Sequence, residues 1–322
     1  MQFEYRSQRF VPVGFNAYWL GITEEQEYPQ KQRVEEMFVA ATQMGATVIR
    51  SHTLGMSSGA SNSLRQPGNI VNENAWDAVD YAFSLARQYD IKLICPLLDA
   101  YYWYNGNYGD FSNDYGISKE SFFTDRRCID DFKEYITQWL NHRNTYTGIF
   151  IKDSPEIFAI ETGNEFNIRP ENNAFPPKDW LIEITEHIRS IDSVHMILHG
   201  TDEPLGQVDD FNIENLDIFT GHFYGEDYSR MQYGASNSQA KMKPYIIGEM
   251  SSKFEQNFYD SVEAMPNVLG TFVWSMYPHS DGTPNGERIP HEDGYTIWYD
   301  TQTSENTEYI NRITNHFNAM RA

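Results

Sequence analysis

The chain of 322 residues is 40% apolar and 15% aromatic, enough to bury a large core in either one α/β barrel or two ordinary domains. Against 24 Lys and Arg stand 46 Asp and Glu, and the formal charge of -22 repels phosphate backbones and anionic headgroups, which argues against nucleic acid and membrane surfaces as partners. Two cysteines exclude a disulfide framework, and the absence of a signal-like start, a membrane-length apolar run and any Asn-x-Ser/Thr sequon predicts a soluble chain with an intracellular leaning.

Short β-branched or aromatic runs alternate with amphipathic stretches along the whole chain. The pattern predicts strand 11–19 and helix 32–44, strand 47–53 and helix 73–89, strand 92–99 and helix 130–143, then strand 157–165 and helix 178–191. It continues with strand 195–200 and a weak helical segment near 211–215, strand 218–224 and helix 228–240, strand 245–250 and helix 254–264, and strand 268–274 and helix 306–320. Eight strands each feed a crossover, with no linker or low-complexity segment between them. This predicts a single catalytic (β/α)8 TIM barrel over 1–322, without a separate carbohydrate-binding module, in preference to an open doubly wound sheet. No G-x-G-x-x-G turn follows the first strand, and barrel chemistry belongs at the C-terminal ends of the strands.

Two such ends carry glutamates. The fourth strand runs Ala159-Ile160-Glu161-Thr162-Gly163-Asn164-Glu165 and the seventh Tyr245-Ile246-Ile247-Gly248-Glu249. Retaining glycosidases need one protonated carboxyl to assist the leaving group and one ionised carboxylate to attack the anomeric carbon, about 5–5.5 Å apart, and side chains from strands four and seven can meet on that scale across a barrel mouth. A lone strand-end glutamate is ordinarily a solvated or salt-bridged side chain, so the pair and its neighbours carry the reading.

Those neighbours resemble glycoside hydrolase family 5, most closely its β-mannanase branch, over nearly the whole chain. Glu161-Thr162-Gly163-Asn164-Glu165 is similar to the branch's E-L-x-N-E segment, which implies Glu165 as acid/base, Asn164 as a donor to the sugar 2-hydroxyl and Glu161 as an internal carboxylate. Gly248-Glu249-Met250 aligns with E-F-G and implies Glu249 as nucleophile. The resemblance further implies that Arg50 hydrogen-bonds Glu249 and lowers its pKa, that His222 and Tyr224 of the D-F-x-T-x-H-x-Y-like run contact sugar and nucleophile, and that Trp274 stacks beneath the reacting sugar. Phe166 stands where Pro commonly follows the acid/base, and Met250-Ser251 where Phe-Gly follows the nucleophile.

The expected activity is double-displacement cleavage of β-1,4-mannosidic linkages in mannan or manno-oligosaccharides by a monomer needing no cofactor or metal. A β-1,4-glucanase, another β-glycanase and an exo-acting β-mannosidase share the same frame. Weaker expectations place Trp19, Trp103, Glu203 and Arg169 against substrate; Asp99 receives no catalytic role, and the long connection 279–300 with His291-Glu292-Asp293 reads as a solvated polar loop. Two different classes compete. A barrel that binds carbohydrate without cleaving it is one. The other is a serine esterase through Gly55-Met56-Ser57-Ser58-Gly59, which requires a strand running into the serine and a helix leaving it.

Overall fold

A computed structural model describes residues 1–102, 106–166, 176–202 and 208–322. Eight parallel strands form the central sheet: β1 (Val13–Asn16), β2 (Val48–Arg50), β3 (Lys92–Pro96), β4 (Ile157–Glu161), β5 (Met196–Leu198), β6 (Phe219–Phe223), β7 (Tyr245–Ser251) and β8 (Val268–Trp274). Each pairs with its neighbour in chain order, and β8 returns to β1 with Val273 opposite Phe15. Between β5 and β6 the ring closes through a bridge of Leu198 to Ile218 and a bond from the His199 N–H to the Ile218 carbonyl at 2.9 Å. The sheet therefore has the closed topology of a (β/α)8 barrel.

The crossovers are α1 (Lys31–Met44), α2 (Trp76–Tyr89), α3 (Arg126–Asn141), α4 (Lys178–Ile191), α5 (Tyr228–Ala240), α6 (Gln256–Glu263) and α7 (Ser304–Arg321). After β5 the described residues hold only a 3-10 turn, Val208–Asn212. α3 starts four residues before its predicted position because Asp125 caps it, its side chain accepting from the Arg127 N–H, and Cys128, Ile129, Phe132, Tyr135, Ile136, Trp139 and Leu140 then recur at helical spacing on the buried face. α7 is likewise capped by Thr303, which accepts from the Asn306 N–H.

Packing divides into two clusters. The larger joins helices to the outside of the strands; the smaller collects Val48, Ile94, Phe158, Leu198, Ile218, Ile246 and Phe272 from strands around the ring. Phe3, from an N-terminal hairpin pairing Phe3–Tyr5 with Gln8–Phe10, enters that smaller cluster with its ring edge-on to Phe158 at 5.1 Å. The hairpin thus packs against the interior of the barrel, and each fully buried ring contributes about 1.5–3 kcal/mol of hydrophobic burial.

β1 to β6 are shorter than the runs that predicted them, whereas β7 and β8 match theirs to within one residue. β4 stops at Glu161, and beyond it the chain meets the segment that follows β3 at the Asp99–Asn164 bridge. Arg50, His222, Glu249 and Trp274 lie at or near the C-terminal ends of paired strands, which presents their side chains at one mouth.

Candidate active site

Arg50 ends β2 with its side chain fully buried, and all five of its N–H donors are used. Nε and Nη2 grip Glu161 as a fork at 2.7 and 2.8 Å, Nη1 donates to Asn16 at 2.9 Å and to Glu249 at 2.7 Å, and Nη2 donates to Asn164 at 2.7 Å. The guanidinium thus ties the ends of β1, β4 and β7 to that of β2. The other Glu249 oxygen accepts from the Tyr224 hydroxyl at 2.5 Å, so Glu249 meets a donor on each oxygen.

The backbone around this centre has little freedom. A register shift in β6 between Gly221 and His222 sets His222 opposite Glu249, which is how a bulge re-aims a side chain. Gly248 is required there: a Cβ would lie 2.4 Å from Thr220 Oγ1 and 2.8 Å from His222 Nε2. Glu165 has a left-handed backbone, φ 54, which costs a non-glycine residue about 1–3 kcal/mol unless its surroundings impose it. Phe166 supplies that constraint. Its ring covers Gly163, where a Cβ would fall 1.9 Å from Cζ, and it packs edge-on to Phe123 and Trp180 at 5.6 and 5.9 Å.

His222 Nδ1 lies 2.5 Å from Glu165 Oε1 and 3.5 Å from Glu249 Oε1. Its hydrogen bond therefore goes to the proposed acid/base residue, and Tyr224, rather than His222, bonds the proposed nucleophile. Burial pushes His222 down to about 4, against the charge of Glu249, so the imidazole is neutral near pH 7. Burial also pushes Glu165 up to about 7, with the Arg50 charge opposing. The leading cause is thus loss of water. Glu249 too is raised by burial, while His222, Arg50 and Tyr224 pull it down. Arg50 bonds Glu249 and pulls it down, as the resemblance implies, but burial outweighs the ion pair and the net direction is upward. Among the described residues Glu165, His222 and Glu249 also form a group of potential metal ligands, with one donor atom from each within 4.8 Å of the others.

Trp274 closes the site from β8. Its indole stacks on Tyr18 at 5.4 Å and 11°, stands edge-on to His52 at 5.6 Å, and donates from Nε1 to Asp293 at 2.7 Å. Asp293 also accepts from the Tyr295 and Thr296 N–H groups, both at 2.8 Å, and His291 bridges Tyr18 at 2.9 Å and Glu24 at 3.0 Å. Hydrogen bonds to Asp293 and Glu24 overcome burial and raise His291 to about 9, and the same network holds Asp293 below the usual carboxylate range. The loop read as solvated is therefore corrected. The His291 side chain is 5% exposed and the segment braces the indole; its only sequence signal was the length of the connection.

The remaining expectations divide. Arg50, Asn164, Glu165, His222, Tyr224, Glu249 and Trp274 are brought to one mouth by five strand ends. Trp19 is not: it is 1% exposed, donates to the Met276 carbonyl at 3.3 Å and packs edge-on to Tyr277, so this indole fills the core between loops. Trp103, Arg169 and Glu203 lie outside the described residues. The esterase motif lacks its elbow, since a helical turn His52–Gly55 separates β2 from Ser57, whose buried hydroxyl accepts from the Leu64 N–H at 2.8 Å. No helix among the described residues is long and apolar enough to cross a membrane.

Residues 1–251 match the family described as GH family 5 beta-mannosidase-like. The chain is similar to mannan endo-1,4-beta-mannosidase 1 of Oryza sativa subsp. japonica, at 31% identity with 96% of this chain and 82% of that protein covered. It is also similar to mannan endo-1,4-beta-mannosidase 7 of Arabidopsis thaliana, at 30% identity over 64% of this chain, where it spans about half, 48%, of that protein's length. The fold is similar to that of the endo-1,4-beta-mannanase from Rhizomucor miehei, with TM-score 0.79, 24% identity and 99% and 97% of the two chains covered.

Proposed function

The chain belongs to glycoside hydrolase family 5, in its β-mannosidase-like branch, and from that premise we propose that it hydrolyses β-1,4-mannosidic linkages in mannan or manno-oligosaccharides with retention of configuration. The observation that carries the mechanism is the pairing of Glu165 and Glu249, each offering an oxygen within 4.8 Å of the other and both touching His222. That closeness favours direct attack, for which about 5–5.5 Å between carboxyl groups is usual, over an inverting site, which holds its carboxyl groups about 6.5–9.5 Å apart to admit a water.

Glu249, furnished with donors from Arg50 and Tyr224, is the nucleophile. Glu165, with its proton retained up to about pH 7 by burial, protonates the departing oxygen. A covalent glycosyl-enzyme forms, and Glu165, now ionised, takes a proton from the water that releases the sugar. Arg50 and Tyr224 hold the Glu249 carboxylate, His222 orients Glu165, and Trp274 offers an apolar face to the C–H face of a sugar ring. The Asn164 amide is held where the family resemblance assigns it the sugar 2-hydroxyl.

Glu249→Ala and Glu165→Ala should each lower turnover by about a thousandfold or more, as losses of reacting groups do, with azide restoring part of the Glu249→Ala rate as an α-linked glycosyl azide and part of the Glu165→Ala rate as a β-linked one. Product anomers followed by NMR should retain the β configuration, and an inverted first product would exclude Glu249 as nucleophile. A panel of soluble mannan, manno-oligosaccharides, carboxymethyl cellulose and xylan decides the sugar: activity confined to the glucan would remove the mannan assignment and leave the mechanism.

A further inference from the structure

A third carboxyl enters the site from β3. Asp99 is 5% exposed, and its Oδ1 accepts from the Tyr101 N–H at 3.0 Å and from Asn164 Nδ2 at 3.2 Å. The two chains are tied beside it, the Asn164 N–H donating to Leu98 O at 2.8 Å and the Ala100 N–H to Asn164 O at 3.0 Å. On its far side Asn164 Oδ1 accepts from Arg50 Nη2 at 2.7 Å. An amide is asymmetric. Turned over, Asn164 would set its oxygen against the Asp99 oxygen and its NH2 against the guanidinium, so Asp99 and Arg50 together permit one orientation.

The other oxygen, Asp99 Oδ2, is buried with no hydrogen-bond partner among the described residues. Among the described residues, the groups around it offer no positive charge in contact. Tyr101 follows on the same loop, the Tyr108 N–H bonds the Asp99 carbonyl at 3.1 Å, Lys119 is turned to the Ala100 carbonyl at 2.6 Å, Arg50 and His52 lie behind Asn164, and Glu165 and Glu249 are the facing charges. A buried carboxylate oxygen lacking a donor and facing two further carboxylates is most stable carrying a proton.

We propose that Asp99 is a positioning residue of the hydrolytic site, which in its neutral form fixes the Asn164 amide and through it the grip of Arg50 on Glu249. The proposal rests on the assignment of Glu249 and Asn164 above. Burial, the largest influence on Asp99, moves it up to about 8, so the neutral form prevails at pH 6–7 and is lost as pH rises beyond about 8.

Steady-state hydrolysis of mannohexaose by wild type, Asp99→Ala, Asp99→Asn, Asn164→Ala and the Asp99→Ala/Asn164→Ala double variant tests this. Asp99→Ala should lower kcat about 10- to 100-fold, the scale of one unsatisfied buried polar group, and change KM by less than about twofold. The double variant should be no slower than Asn164→Ala, since both changes break one chain of contacts. Asp99→Asn, whose carboxamide oxygen still accepts from Asn164, should stay within about threefold of wild type at pH 6, and its rate relative to wild type should climb above about pH 8, where only the wild type acquires the extra charge. Multiplicative losses in the double variant, or a relative rate of Asp99→Asn that is flat from pH 6 to 9, would overturn the proposal. Should Asp99→Ala fail to fold, the Asp99→Asn profile decides alone. Absence of hydrolysis by wild type, or unchanged turnover in Glu249→Ala, sinks the underlying assignment instead and is read separately.

Discussion

A buried arginine that satisfies five bonds to four residues is hard to replace by any other cation. Lysine offers three donors from one point and cannot fork onto Glu161 while also reaching Asn16, Asn164 and Glu249. Arg50→Lys should therefore leave at least one of the two glutamates without a partner; about 3–5 kcal/mol of stability is at stake when a buried pair is broken, and thermal unfolding together with kcat would measure it. A melting temperature within about 2 °C of wild type would show that the network is not structural. Glu165 makes a second prediction with a definite sign. Its folded pKa, about 7, lies above the ordinary value of 4.5, so the folded state keeps a proton that the unfolded state releases. Stability falls as pH rises from about 4.5 through about 7, and kcat/KM falls over the upper part of that range as the acid is lost. Glu165→Gln should flatten the stability profile there, and a parallel profile in the two proteins would contradict the assignment.

At the scale of elements, the barrel strands and most crossovers were legible because burial imposes periods on the sequence, two for strands and 3.6 for helices. Element ends were less so. Asp125 as the cap of α3 lies outside the apolar periodicity that located the helix, and the predicted strand 157–165 joins a true ladder strand to a loop that only the Asp99–Asn164 bridge reveals. Trp19 and Trp274 read alike as aromatic residues at strand ends; which one is packed under Met276 and which stands over the mouth depends on partners hundreds of residues distant. The bracing of Trp274 by Asp293, 19 residues on, was invisible because the connection between them carries no periodicity to place it. It carries a third prediction. His291 is raised to about 9 from 6.5, so its ion pairs stabilise fully below about pH 6.5 and are lost as pH rises through about 9. Asp293→Ala should weaken that pH dependence to the part that Glu24 supplies, raise KM by loosening the indole, and alter the Trp274 contribution to fluorescence; an unchanged KM would mean that stacking on Tyr18 alone holds the ring.

For the whole molecule, the net charge of -22 and the buried site respond differently to salt. Surface carboxylates repel one another over distances comparable to the Debye length, about 30 Å at 0.01 M and about 7–8 Å at 0.2 M salt, whereas the Arg50–Glu249 pair is shut off from solvent and is screened far less. Raising NaCl from ~10 to ~200 mM should then raise the melting temperature by about 2–4 °C through relief of self-repulsion. A neutral mannan feels no net force from the acidic surface, so kcat/KM on it should hold within about 1.5-fold over the same range. An anionic polysaccharide approaching the same protein is repelled at low salt, and its kcat/KM should climb several-fold as the field is screened. Rates measured beside melting temperatures on one salt series separate these cases: a salt-dependent rate on mannan at constant fold would show that the acidic surface takes part in substrate capture, and would place the determinants of binding outside the mouth framed by Arg50, Glu165, Glu249 and Trp274.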